Sequence, residues 1–145
     1  MSGPDPPVTG LSHVAIATRE ADALAERLVA ALGAERGGEE TLEGGALRVV
    51  FVHLGPVTFE LLEPRDPGHT VARFLESRGP GLHHVSLEVG DLDAALARAR
   101  EAGLRLVDET PRPGAHGTRV AFLHPKSLGG MLVELSEAPQ DRETQ

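Results

Sequence analysis

The chain has 145 residues, a formal net charge of -8, 40% hydrophobic residues and no cysteine. This length and apolar fraction are typical of one globular domain with a real core, and the lack of cysteine excludes disulfide and thiolate chemistry. The acidic balance argues against a nucleic-acid surface. There is no apolar run of membrane-spanning length and no signal-peptide pattern in the first ten residues, so we expect a soluble, cytoplasmic protein with no membrane partner.

The first half of the chain predicts a strand, a helix and two further strands, over residues 11–17, 20–32, 48–54 and 57–62. Within the helix, Leu24, Leu28 and Leu32 recur at helical spacing, and Gly33 is typical of the residue just past a helix end. A short helix over residues 70–78 follows.

The second half repeats this pattern, with a strand, a helix and two strands predicted over residues 82–89, 91–102, 119–124 and 131–135. Asp91 is the predicted N-cap of the helix, and Gly103 follows its end.

The two halves are copies of one another. Residues 10–14 and 81–85 share Gly, Leu, His and Val at an offset of 71, and the offset becomes 74 where residues 60–61 match residues 134–135. A three-residue insertion near residues 125–130 explains the change. A duplication therefore predicts an α+β fold of two βαβββ modules.

We expect one domain over residues 8–137. Module one spans about 10–64, the bridging helix about 70–78 and module two about 81–137, with flexible tails at 1–7 and 138–145.

Side chains alternate across a strand, which assigns four polar residues to faces. His13 shares a face with Ala15, opposite Val14 and Ile16. By the same alternation, His84 lies opposite Val85 and Leu87, Glu60 opposite Phe59 and Leu61, and Glu134 opposite a predicted apolar face of Met131, Val133 and Leu135. The two His are related by the repeat, and so are the two Glu.

These four residues predict a metal site. A lone His or Glu in a strand is more often structural, but a repeat-related quartet is harder to explain without an ion. Two neutral imidazoles and two carboxylates balance a 2+ charge and supply four of six octahedral positions, which leaves two for water or a chelating substrate. The set suits Co, Mn, Ni, Fe or Zn, and the sequence does not choose among them.

Several segments resemble the methylmalonyl-CoA epimerase family of the vicinal-oxygen-chelate superfamily. They are residues 59–64 (FELLEP), 81–85 (GLHHV), 108–112 (DETPR), 114–117 (GAHG) and 121–126 (AFLHPK). The likeness covers roughly residues 11–137. It implies a cupped mixed sheet around one divalent metal held by His13, Glu60, His84 and Glu134, and it implies a homodimer.

The resemblance also implies the reaction, which is epimerisation of methylmalonyl-CoA at C2 through a metal-stabilised enolate. Inversion needs an acid/base group on each face of the planar intermediate. The family assigns these roles to the final Glu ligand, here Glu134, and to a Glu before the second long strand. An ungapped alignment puts Gly44 at that second position and Glu43 one residue early, so Glu43 is the candidate, with Glu39 or Glu40 as alternatives.

Two other functions fit the same pattern. A glyoxalase-like lyase or isomerase on a thiol adduct uses a similar quartet, although the His-Pro-Lys and Pro-Arg segments favour the epimerase. A non-catalytic protein that binds an aromatic drug needs Trp or Tyr for stacking, and the chain has neither.

Overall fold

The computed structural model describes residues 6–139. Most of the predicted tails, residues 1–5 and 140–145, lie outside this range. The described chain contains three α-helices, α1 Ala21–Leu32, α2 Thr70–Arg78 and α3 Leu92–Glu101. Its strands are β1 Val8–Ala17, β2 Glu35–Leu42, β3 Leu47–Leu54, β4 Val57–Pro64, β5 Gly81–Val89, β6 Arg112–Pro113, β7 Arg119–Leu123 and β8 Val133–Glu137. The order β-α-β-β-β occurs twice, as the duplication predicts, and the fold class is α+β.

The described chain divides into two compact units. The first unit comprises residues 13–85, and the second comprises residues 6–12 and 86–139, so that β1 and β5 each contribute to both. The strand order in the first unit is β2-β3-β4-β1-β5, and in the second unit it is β1-β5-β8-β7-β6. Since β1 is parallel to β4 while β3 is antiparallel to both β2 and β4, the sheet is mixed.

The core of the first unit forms where α1 packs on the sheet. The fully buried helix residues are Ala21 and Ala25, which pack with Val50, Val52 and Leu61 of the strands. Because these alanine side chains are small, the helix approaches the sheet closely. The three leucines at helical spacing therefore lie at the edge of the helix–sheet contact. Leu24 and Leu28 are only partly buried, and Leu32 is 66% exposed. The helix itself ends as predicted, at Gly33 with φ 71.

The second unit has a corresponding core beneath α3. Leu92 and Leu96 are buried against strand residues that include Ala121 and Leu135. Full burial of each leucine contributes roughly 1.5–3 kcal/mol. The Asp91 side chain accepts a hydrogen bond from the Ala94 N–H at 3.0 Å, which confirms the predicted N-cap.

Three sequence expectations need correction. Met131 does not belong to the last strand, which begins at Val133, and its side chain is 50% exposed because a turn through Gly129 and Gly130 precedes the strand. The pattern also failed to locate β2 and β6. Both are polar and carry no alternating apolar signal, so only their pairing with β3 and β7 defines them.

Within residues 6–139, no helix combines the length and apolarity needed to span a membrane.

Candidate functional site

Three of the four predicted ligands come together within the first unit. In the parallel pairing of β1 with β4, Ala15 lies opposite Glu60. His13 is two residues before Ala15 on the same face of β1, and the Glu60 carboxylate contacts its ring. The distance from His13 Nδ1 to Glu60 Oε2 is 3.1 Å, with side-chain exposures of 9% and 12%. The His84 ring meets the His13 ring edge to face, with centroids 5.7 Å apart.

This geometry fits a divalent cation. Two ligand atoms in adjacent positions of a six-coordinate ion, each at roughly 2.1 Å, lie roughly 3 Å from one another. The His13–Glu60 separation of 3.1 Å matches that spacing. Imidazole nitrogen together with carboxylate oxygen suits first-row transition metals, and low solvent exposure strengthens their attraction for the ion.

Glu134, the fourth predicted ligand, lies on β8 in the second unit. It is 7% exposed, and its Oε1 accepts a hydrogen bond from the Ser86 hydroxyl at 2.7 Å. Burial raises the pKa of Glu134 to about 7, against the opposing effects of the Ser86 hydrogen bond and the positive charge of Arg112. A carboxyl group with a pKa near neutrality is suited to both accepting and releasing a proton.

His83 was not singled out as a site residue from the sequence. Its Nδ1 lies 2.8 Å from the Nδ1 of His84, so one ring donates a hydrogen bond to the other, and its ring packs edge to face on Phe74 at 4.9 Å. Burial is the main cause that lowers the pKa of His83 to about 4, with smaller contributions from His69 and Arg78. His83 is therefore neutral at physiological pH. The adjacent His-His pair in the sequence was the signal that could have found it.

Glu43 lies in the loop between β2 and β3, within a 3-10 turn at Glu43–Gly45. Its carboxylate Oε1 is 3.2 Å from His69 Nε2, and its side chain is 45% exposed. No local pattern in the sequence points to His69. The alternative Glu39 is held by Arg48 through hydrogen bonds of 3.0 and 2.8 Å, which lower the pKa of its carboxyl. That pairing makes Glu39 a poor proton carrier.

Comparison with known proteins gives the family. Residues 12–122 match the family model of the Glyoxalase/Bleomycin resistance protein/Dioxygenase superfamily. The chain is 42% identical over 129 residues to the ethylmalonyl-CoA/methylmalonyl-CoA epimerase of Cereibacter sphaeroides, covering 88% of this chain and 96% of that protein. The chain belongs to the methylmalonyl-CoA epimerase family. Membership in this family confirms the predicted enzyme class, an isomerase of the racemase and epimerase group.

Solved structures of methylmalonyl-CoA epimerases share the fold. The Mycobacterium tuberculosis enzyme has a TM-score of 0.90 and 35% identity, covering 99% of this chain and 97% of that one. A methylmalonyl-CoA epimerase in complex with methylmalonyl-CoA and NH4+ has a TM-score of 0.85 and 33% identity, covering 90% of this chain and 95% of that one. These similarities confirm the predicted fold, and they favour the epimerase over the two alternatives weighed from the sequence.

Proposed function

We propose that this protein interconverts the two C2 epimers of methylmalonyl-CoA. The observation that carries the proposal is the His13–Glu60 pair, of low solvent exposure, beside His84, in a chain 42% identical to an ethylmalonyl-CoA/methylmalonyl-CoA epimerase. A related solved structure holds methylmalonyl-CoA itself, which supports an acyl-CoA thioester as the substrate. A homodimer and a cytoplasmic location stay predictions.

We assign one divalent cation to this enzyme, with His13, Glu60, His84 and Glu134 as its protein ligands. When bound, the cation supplies Lewis-acid stabilisation of the negative charge that develops on the thioester oxygen. The protein's own contribution is to hold imidazole and carboxylate groups in a desolvated, prearranged position. The ligand types are compatible with Co, Mn, Ni, Zn or Fe.

Epimerisation moves one proton off C2 and one proton back onto the opposite face. We assign these transfers to Glu43 and Glu134. A carboxylate accepts the C2 proton, the substrate passes through a planar enolate, and a protonated carboxyl group on the other face returns a proton. Glu134 is buried, and the Ser86 hydroxyl holds its carboxylate in place, which supports an acid/base role.

Solvent exchange tests the proposal directly. The protein is freed of metal by a chelator, reloaded with Co²⁺, and incubated with a single methylmalonyl-CoA epimer in deuterated water. We expect deuterium at C2 of the inverted product, no turnover of the chelated protein, and restoration by added metal. A protein that holds stoichiometric metal yet exchanges no C2 proton would contradict the proposed function.

A matched pair of histidine variants tests the ligand assignment. His13→Gln should lose bound metal and turnover together. His53→Gln is the control, since His53 is also a strand histidine but is exposed and contacts Thr58 at 3.2 Å. Equal metal content in the two variants would remove His13 from the ligand set.

The acid/base assignment is tested at Glu43. We expect Glu43→Gln to lower turnover by roughly 10²–10⁴-fold with metal content unchanged, the range for losing a general acid/base group. Glu40→Gln is the comparison, because Glu40 was the other candidate nearby. If Glu40→Gln slows the enzyme and Glu43→Gln does not, the role passes to Glu40.

A further inference from the structure

His69 makes two polar side-chain contacts in the first unit. It precedes α2 as its N-cap, and its Nδ1 accepts a hydrogen bond from the Val71 N–H at 3.0 Å. A ring nitrogen that accepts carries no proton, so the proton of the neutral imidazole is on Nε2. Nε2, which carries this proton, lies 3.2 Å from Glu43 Oε1. The helix cap therefore fixes the tautomer that has its N–H at the nitrogen nearest Glu43.

The backbone around Glu43 gives this contact its importance. Glu43 has φ 54, a left-handed conformation that is uncommon for a residue with a side chain, and Gly44 and Gly45 follow with φ 66 and 96. A turn of this kind persists only where surrounding contacts hold it. The Glu43 side chain is 45% exposed, whereas that of His69 is 9% exposed. His69 is also the N-cap residue of α2. His69 is therefore the rigid partner of the two.

His69 begins the helix that contacts the candidate site. Phe74 of α2 packs edge to face on His83 with ring centroids 4.9 Å apart, and His83 Nδ1 is 2.8 Å from His84 Nδ1. The helix that His69 caps therefore packs on a pair of histidines that includes a predicted ligand. This proximity connects the loop of Glu43 to the site within the same unit.

We propose that His69 is a positioning residue that orients the Glu43 carboxylate by donating a hydrogen bond from Nε2–H. The inference rests on the proposed acid/base role of Glu43. As a positioning residue, His69 does not touch the reacting atoms. It acts by keeping a strained, half-exposed loop in one conformation, so that its loss misplaces the base without removing it.

Two substitutions separate positioning from capping. His69→Asn introduces a short amide, which keeps an acceptor near the former Nδ1 for the Val71 N–H but does not reach Glu43. His69→Gln introduces a longer amide, which presents an N–H near the former Nε2 but leaves no acceptor at the cap. Both variants are compared with the metal-loaded full-length enzyme, with methylmalonyl-CoA as substrate.

We expect opposite patterns from the two variants. His69→Asn should retain the melting temperature and metal content and lower kcat by roughly 10–100-fold with little change in KM, since misplacing a catalytic group by about 1 Å costs up to about 10²-fold. His69→Gln should lower the melting temperature and keep kcat within about threefold. Adding His69→Asn to Glu43→Gln should cause no further loss, because both act through the same carboxylate.

The outcomes that overturn the proposal are distinct from those that overturn the function. If Glu43→Gln is slow while His69→Asn has normal kcat, His69 is only a helix cap and the positioning role is wrong. If kcat of His69→Asn falls but falls again by a similar factor in the Glu43→Gln background, His69 acts independently of Glu43. Normal turnover of Glu43→Gln itself instead defeats the acid/base assignment on which the inference rests.

Discussion

The two units anchor the first turns of α1 and α3 with the same set of side chains. In the first unit, Glu63 accepts a hydrogen bond from the Ala21 N–H at 2.9 Å and another from Arg48 at 3.2 Å. Asp22, one residue after the helix start, completes the arrangement by accepting two hydrogen bonds from Arg48. One arginine thus joins the last part of β4 to the beginning of α1.

The second unit repeats this arrangement with the residues that correspond through the duplication. Glu137 accepts a hydrogen bond from the Leu92 N–H at 2.8 Å and another from Arg119 at 2.9 Å. Asp93, again one residue after the helix start, accepts from Arg119. The anchor is therefore a property of the repeated module.

The environment of the arginine differs between the copies. The Arg48 side chain is 9% exposed, and that of Arg119 is 46% exposed. Strand β2 has eight residues and supplies Glu39 as a further partner of Arg48, whereas β6 has only two residues. In the second copy, Thr110 stands 71 residues after Glu39 and offers no carboxylate.

This difference shows that the strand beside the arginine, β2 or β6, determines how much the shared anchor contributes to stability. Hydrogen bonds from Arg48, and then from Arg36, hold the pKa of Asp22 well below its usual range. The hydrogen bonds that Arg48 donates to Glu39 and Asp22 raise the pKa of its guanidinium. A desolvated and multiply paired arginine leaves carboxylates without their partner when it is removed, but an exposed pair contributes little to stability.

The largest expected effect is that of removing the arginine from each copy. Arg48→Met should reduce the free energy of unfolding by about 2 kcal/mol, less than for a fully buried pair because Asp22 is half exposed. Arg119→Met should cause a much smaller loss. Urea unfolding of the two variants measures this, and equal losses would show that the burial of Arg48 is not what matters.

A smaller difference is expected from the carboxylates that cap the helices. Glu63→Ala should destabilise the protein by about 1 kcal/mol, because Glu20 at the N-cap of α1 makes no side-chain capping bond. Glu137→Ala should cost about half as much, since Asp91 still caps α3. Thermal unfolding of both variants makes the comparison. A larger effect at Glu137 would contradict it.

The smallest expected effect is a difference in acid sensitivity. The pKa values of Asp22 and Glu39 are lowered in the folded protein, mainly by hydrogen bonds from Arg48. Such groups contribute stability that is present above their unfolded pKa values, about 4, and is lost as the pH falls further. Arg48→Met should therefore lose less stability than the wild type between about pH 5 and pH 2. The free energy of unfolding of each protein is measured as a function of pH. The same loss in both proteins over this range would contradict the prediction.

Most of the fold was predictable because its elements carry local signals. The apolar alternation of β1 and β5 and the Asp91 cap and terminal glycines of the helices place those elements within a few residues of their observed bounds. Strand β2 carries no such signal, since its residues are mainly Glu, Gly and Arg. It is a strand because its backbone pairs with β3, and pairing with a distant segment leaves no periodic pattern in the paired sequence.

The sequence by itself determined the duplication, the faces of the strands and the identity of the candidate ligands His13, Glu60, His84 and Glu134. These follow from a repeat offset and from a two-residue period, both of which can be seen in the order of residues along the chain. Only the tertiary structure decided that His69 meets Glu43 and that Arg48 is enclosed while Arg119 is exposed. The reason is physical: such contacts depend on how loops and partner strands pack on one another, and packing between segments far apart in the chain is not encoded in the spacing of neighbouring residues.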